Sequence, residues 1–100
     1  MTSSSSPISG PARVPDQPAA CAVLLETALA RASGEDVAAV SLTLDYGAPV
    51  AAGDEVTVEA RIDRATRTLV FAHGRVVKAD GALAASGSAV FRRAVAATPA

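Results

Sequence analysis

The sequence has few of the residues that build cross-links, metal clusters and aromatic binding surfaces. Among its 100 residues Cys21 is the only cysteine, so no disulfide can form within the chain and no cysteine cluster can bind a metal. His73 is the only histidine, so a metal site would need mostly carboxylate ligands. With three aromatic residues in total, the chain lacks the stacking side chains that single-stranded nucleic acids usually require.

An excess of charge of one sign is also absent. Nine basic and ten acidic residues nearly cancel, which predicts neither a nucleic-acid partner nor a membrane surface. The first residues lack both the early positive charge and the apolar run of a secretory signal. No apolar run approaches the about 20 residues that span a bilayer, so we expect a soluble protein of the cytoplasm.

Apolar residues make up 50% of the chain, enough for one small packed domain. Ala and Val dominate this set, so the core should consist of small side chains packed closely. A domain of this size is marginal as a monomer, which favours a homodimer or homotetramer. We predict a flexible N-terminal arm over residues 1–15, a folded domain over 16–94 and a loose tail over 95–100.

The predicted helix extends from Asp16 to Ala32, with Asp16 as its N-cap and Pro18 inside the first turn. Gly34 supplies a stop after it. The helix is apolar on nearly every side, which is typical of a buried helix. Glu26 is the only acid inside it, and no residue four positions away can pair with it.

Four segments after the helix alternate between apolar and polar residues, which predicts antiparallel strands. Asp80-Gly81 between the last two indicates a type I′ hairpin. Long strands of this kind curl, so the predicted architecture is α+β, with a four-stranded meander curved around one helix. The edges of the sheet would pair between copies of the chain. The segments are Val40–Tyr46, Val56–Asp63, Leu69–Lys78 and Leu83–Arg93.

Three stretches resemble a known family: Leu24–Ala28 in the helix, Pro49–Ala60 before and along a strand, and Gly87–Arg92 in the last strand. They are similar to the hotdog-fold acyl-CoA thioesterases, in the branch of the phenylacetate-degradation and 4-hydroxybenzoyl-CoA thioesterases. The similarity covers roughly Gln17 to Arg93. It implies one central helix wrapped by a curved antiparallel sheet.

The resemblance also implies a chemistry. In this family a helix acid at the position of Glu26 serves as nucleophile or general base towards a thioester. A backbone N–H at the helix start polarises the thioester carbonyl. Active sites lie at a dimer interface. The substrate would be an acyl-CoA or an acyl-carrier thioester, and neither a metal nor an organic cofactor is implied.

The sequence departs from the family pattern where the helix begins. Gln17-Pro18-Ala19 stands in place of a His-Gly-Gly turn, and proline has no N–H to donate. The side chain of Gln17 is the candidate replacement donor. Only sixteen residues precede Gln17, and they do not look like the family's first strand, so that strand is expected to be missing. Both departures favour an alternative, a non-catalytic hotdog module that binds acyl thioesters or serves in assembly.

For the other candidate residues the sequence allows both a functional and a purely structural interpretation. Tyr46 borders a substrate pocket or packs in the core or an interface. Arg64 and Arg67 grip the phosphates of CoA or are ordinary surface arginines. His73 shuttles protons or is a partly exposed strand residue. Cys21 is interpreted as a small buried hydrophobe rather than a nucleophile.

Overall fold

The computed structural model describes residues 8–94, which form one helix and a five-stranded antiparallel sheet. The strand order in the sheet is β1-β3-β4-β5-β2. The predicted tail over 95–100 and the first seven residues of the predicted arm lie outside the described residues. The elements are β1 (Ile8–Arg13), α1 (Ala20–Ser33), β2 (Val37–Tyr46), β3 (Glu55–Ala65), β4 (Leu69–Lys78) and β5 (Leu83–Arg93).

The first strand, β1, corrects the expectation of an arm without a strand. It pairs with β3 from Ile8 opposite Ala60 to Arg13 opposite Glu55. Pro11 lies inside it, which an edge strand tolerates because one row of its backbone groups has no partner strand. The folded domain therefore begins no later than Ile8, and the family's first strand is not missing.

The helix begins three residues later than predicted, since Asp16 was its expected N-cap and Ala20 is its first residue. Its N-cap is Ala19, which adopts the left-handed conformation with φ 58°, and no side chain caps it. Pro18 therefore precedes the helix instead of lying in its first turn. The stop at Gly34 is confirmed, because this residue has φ 115° and its N–H bonds to the carbonyl of Arg31.

The sheet is a meander only from β3 to β5. β2 pairs with β5, so it forms the opposite edge from β1 instead of lying beside β3. The turn at Asp80-Gly81 also differs from the prediction, because only Gly81 has a positive φ, whereas type I′ needs two such residues. The N–H of Gly81 bonds to the carbonyl of Lys78, which makes a type I turn followed by a glycine bulge.

The core lies between one stripe of α1 and the concave face of the sheet. Leu25 and Leu29 are fully buried and pack over the sheet, where two facing glycines, Gly74 and Gly87, allow the helix to come close. The remaining core is mostly Ala and Val, as composition predicted. The opposite side of the helix is exposed, so the expectation that the helix is buried on every side is wrong. The buried helix residues are Cys21, Leu25, Leu29 and Ser33.

Candidate active site

A cleft of about 690 Å³ opens at the start of α1. Three segments meet there: the connection from β1 to the helix, the first helical turn and the loop between β2 and β3. Two backbone hydrogen bonds fix the connection to that loop, from Val14 N–H to the Asp54 carbonyl at 2.9 Å and from Gly53 N–H to the Val14 carbonyl at 2.8 Å. The lining residues are 14–21, 46–50, Ala52 and Ala84.

The helix start leaves backbone donors available in this cleft. The first hydrogen bond of the helix runs from Val23 N–H to the Ala19 carbonyl at 3.0 Å. Earlier N–H groups of a helix have no intrahelical partner, and no side chain within the described residues caps this start. The left-handed conformation of Ala19 costs about 1–3 kcal/mol in a residue that is not glycine. The cleft therefore combines free donors with the positive end of the helix dipole.

Two of the predicted site residues, Gln17 and Tyr46, line this cleft together. Gln17 is exposed beside the helix start, and Tyr46 at the end of β2 has 65% of its surface exposed. Pro18 lies between Gln17 and Ala19 and contributes no N–H. Gln17 therefore brings a side-chain amide, which can donate, to a cleft in which Pro18 offers no backbone N–H.

Glu26 does not line the cleft. It lies six residues beyond Ala20, about 9 Å along the helix axis, and its side chain is exposed. Within residues 8–94 it makes no ion pair and no side-chain hydrogen bond. Glu26 thus lies on the exposed face of the helix, outside the cleft of its own chain.

Arg64 and Arg67 lie at the other end of the sheet. Arg64 is near the end of β3 and Arg67 is in the turn that follows, whereas the cleft adjoins the beginning of β3. Nine residues of strand separate Glu55 from Arg64, or about 30 Å. One copy of the chain therefore does not bring these arginines to the cleft.

His73 and Cys21 are both explained by their surroundings. Ala72 and Gly74 face the helix, so His73 between them faces the opposite side of the sheet from the cleft. No residue near His73 in the sequence was expected to orient it, but Oδ1 of Asp63 on β3 lies 2.6 Å from Nδ1 of His73. Cys21 lines the cleft but is buried, and burial raises the pKa of its thiol, which disfavours the nucleophilic thiolate.

Several cleft residues were not singled out by sequence, above all the prolines Pro15 and Pro49 and the apolar residues Val14 and Val50. Nothing in their local pattern marks them, because they come from loops whose meeting depends on tertiary hydrogen bonds.

Within the described residues no group of three His, Cys, Asp or Glu side chains is arranged to bind a metal. The one described helix is too short to cross a bilayer.

The fold and the family agree with each other. One helix packed against a curved five-stranded antiparallel sheet is the hotdog fold, and solved hotdog proteins superimpose on the chain. A family model described as the thioesterase superfamily matches residues 19–85. The chain therefore belongs to the thioesterase superfamily. No curated protein sequence is significantly similar to it.

Solved structures with the same fold include members of the phenylacetate-degradation branch. A mutant of the phenylacetic acid degradation protein PaaI from Thermus thermophilus has a TM-score of 0.77 and 22% identity, covering 88% of this chain and 85% of that one. Escherichia coli PaaI has a TM-score of 0.79 and 18% identity, covering 89% and 73%. Zebrafish thioesterase superfamily member 2 has a TM-score of 0.79 and 16% identity, covering 94% and 79%.

Proposed function

We propose that this protein hydrolyses an acyl-CoA or a related acyl thioester at the start of α1. The observation that carries the proposal is the uncapped helix start in an open cleft, within a chain of the thioesterase superfamily. Free N–H groups and the helix dipole stabilise the negative charge that develops on a thioester carbonyl oxygen when it is attacked.

Glu26 is the proposed catalytic carboxylate. Because Glu26 does not line the cleft of its own chain, the Glu26 that reaches a thioester carbonyl there would belong to a second copy of the chain. As a general base it accepts a proton from water while the water oxygen bonds to the carbonyl carbon. The oxyanion then collapses, the C–S bond breaks, and the proton held by Glu26 passes to the departing thiol. As a nucleophile its oxygen would instead bond to the carbonyl carbon, the C–S bond would break with departure of the thiolate, and water would then hydrolyse the resulting anhydride. Both routes release one carboxylic acid and one thiol per water consumed.

Gln17 is the proposed donor to the oxyanion, alongside the helix start. We expect Gln17→Ala to lower kcat by about 10²-fold, because a single oxyanion donor contributes roughly this factor. KM for the acyl-CoA should change much less, since the donor binds the transition state better than the ground state. Steady-state thiol release measures both constants. An unchanged kcat would remove Gln17 from the site.

The site is proposed to be completed by a second copy of the chain across the β2 edge. The two edges of the sheet differ strongly. β1 has six residues and is interrupted by Pro11, whereas β2 has ten residues without proline, glycine or lysine. The free edge of β2 also carries the exposed apolar residues Val40 and Tyr46. An edge of this kind is a template for pairing, and two-fold pairing would bury it.

Such pairing also bears on the arginines. Two copies of β2 related by a two-fold axis run antiparallel. The end of the sheet that carries the β3–β4 turn in the second copy therefore lies beside the cleft of the first. Arg64 and Arg67 of a second copy would then approach the cleft from across the interface. We propose that they bind the phosphates of CoA there, for which the guanidinium fork is well suited.

The β2 interface can be tested with Val40→Lys. Val40 is 50% exposed in a bulge of β2, so the change should leave the isolated fold intact but place a charge in the interface. We expect the dimer dissociation constant to rise at least about 30-fold, from a cost of roughly 2 kcal/mol or more. Light scattering after size exclusion measures it. Ile8→Lys, on the opposite edge and 39% exposed, is the matched control; dissociation by the control alone would refute the interface.

The function itself is tested by thiol release from short, medium and aromatic acyl-CoAs and from the matching acyl-carrier thioesters. Turnover of any of them that exceeds the rate without protein supports the proposal. A folded dimer without turnover across the panel would overturn it.

A cytoplasmic location stays a prediction, which fractionation of the producing cells would check.

One observation favours the alternative, a non-catalytic hotdog module that binds acyl thioesters or serves in assembly. Pro18 precedes the helix start and has no N–H to offer. The other argument for this alternative, a missing first strand, falls away because β1 is present. Calorimetry with a non-hydrolysable acyl-CoA analogue distinguishes a module that binds without turnover from a chain that does neither.

A further inference from the structure

A cluster of polar and charged side chains lies on the convex face of the sheet, which is the side away from α1. β3, β4 and β5 each contribute to it. A groove of about 600 Å³ crosses these strands at mid-length. Since the sheet separates this groove from the cleft at the helix start, a ligand there would be distinct from the acyl end of a bound thioester. The lining residues are Ser9, Glu59, Ala60, Arg61, His73, Gly74, Arg75 and Ser86.

His73 is held in one orientation within this groove. Its Nδ1 lies 2.6 Å from Asp63 Oδ1. A carboxylate only accepts hydrogen bonds, so Nδ1 carries the proton, and Nε2 remains for another partner. A bulge between Ile62 and Arg64 places Asp63 within reach of the imidazole. Bulges of this kind often re-aim side chains beside functional sites.

The two arginines of the groove differ in how they are neutralised. Arg75 Nε lies 2.5 Å from Glu59 Oε1, so its charge is already compensated. Arg61 is the cross-strand neighbour of His73 and makes no ion pair within residues 8–94. Its guanidinium is therefore a positive charge without an ion-pair partner among residues 8–94, on the strand position opposite His73.

We propose that this groove binds a phosphate group, held by Arg61 and by Nε2 of His73 and flanked by the hydroxyl of Ser86. A guanidinium fork matches two phosphate oxygens. Nε2 suits phosphate in either protonation state, because it donates when the imidazole is charged and accepts from a protonated phosphate oxygen when it is neutral. A protein partner fits less well, since none of the exposed large apolar residues lines the groove.

The single histidine makes the test direct. The proton NMR signal of the His73 Cε1–H is unique in the chain, and inorganic phosphate is titrated against it at constant ionic strength. We expect a saturable shift, with a dissociation constant that Arg61→Gln raises about tenfold, equivalent to a loss of about 1.4 kcal/mol. Sulfate, which carries no proton at neutral pH, should bind more weakly than phosphate.

Two further variants sharpen the result. Glu59→Gln frees the guanidinium of Arg75 and should tighten phosphate binding about threefold. Arg92→Gln is the matched control. Arg92 is an exposed arginine of β5 that lies four residues beyond Ser88, the cross-strand neighbour of His73, and is thus about 13 Å from Ser88 along the strand. It should change the dissociation constant by less than twofold.

Three outcomes would overturn the proposal. The first is a shift that does not saturate, and the second is an equal loss of affinity in Arg61→Gln and Arg92→Gln. The third is a His73 signal that moves with protein concentration instead of phosphate, which would mean that a second copy covers the groove. None of these outcomes bears on thioester hydrolysis, which uses the other side of the sheet.

Discussion

Replacing Glu26 by glutamine is expected to lower kcat for acyl-CoA hydrolysis by about 10³-fold. Proton transfer by a positioned carboxylate accounts for roughly 10²–10⁴-fold in rate, and the amide can neither accept that proton nor attack the thioester. Glu26 is exposed and makes no ion pair within the described residues, so the substitution should change the free energy of unfolding by less than about 0.5 kcal/mol. Thiol release measured beside a denaturation curve separates the two effects.

Glu35→Gln is the matched control for this experiment. Glu35 is also an exposed glutamate, but it follows the end of α1 and lies far from the cleft at its start. Its replacement removes the same charge from the chain and should leave kcat within twofold of the wild-type value. If Glu26→Gln keeps full activity while the wild type turns over, hydrolysis occurs but another group provides the base. Equal losses in both variants would point to net charge instead.

Replacing Gly74 by alanine is expected to destabilise the fold by about 3 kcal/mol. A Cβ at this position would overlap the backbone oxygen of Glu59 on the neighbouring strand. It would also come within 3.2 Å of Leu29 and 3.3 Å of Leu25, the two fully buried helix leucines. Relief requires the helix or β3 to move, and overpacking of this kind costs about 1–3 kcal/mol or more.

For a domain of this size that loss corresponds to a decrease in Tm of at least about 12 °C. Gly10→Ala is the control, because Gly10 is also a strand glycine, has no positive φ, and has nothing within 4 Å of the position of a Cβ. Its Tm should stay within about 3 °C of the wild type. A Gly74→Ala variant as stable as the control would show that the helix does not sit tightly over this position.

The helix and the four later strands could be predicted because each carries its own periodicity. In β3, for example, buried Val56, Val58 and Ala60 alternate with more accessible polar residues, and the same alternation of apolar and polar residues in the sequence predicts a strand. β1 could not be predicted, because Ser9, Gly10 and Pro11 give it no strand pattern. It is a strand only because β3 offers a free edge to pair with.

The start of the helix was misjudged for a related reason. Asp16 and Pro18 have the local preferences of a cap and a first turn, and these preferences favoured an earlier start. In the structure Pro15 to Ala19 form part of the cleft wall, next to Val14, which is tied to the β2–β3 loop. Because this segment is held in the cleft wall, the helix begins only at Ala20, and Ala19 before it adopts the left-handed conformation.

The candidate site divides in the same way. Glu26 and Gln17 were proposed from the sequence because a family resemblance marked them, and Glu26 is also the one acid of an apolar helix. The convergence of Gln17 and Tyr46 in one cleft, and the remoteness of Arg64 and Arg67, depend on strand directions that no local pattern specifies. The Asp63–His73 pair requires both the β3–β4 register and the bulge at Asp63.

By itself the sequence determined the α+β class, the presence of the helix and the alternating faces of β2 to β5, because these features follow from side chains a few residues apart. Only the tertiary structure decided the order of the strands, the presence of β1, the cleft at the helix start and the polar groove on the convex face. Each of these depends on backbone groups far apart in the chain, whose hydrogen bonds form only when the sheet closes around the helix.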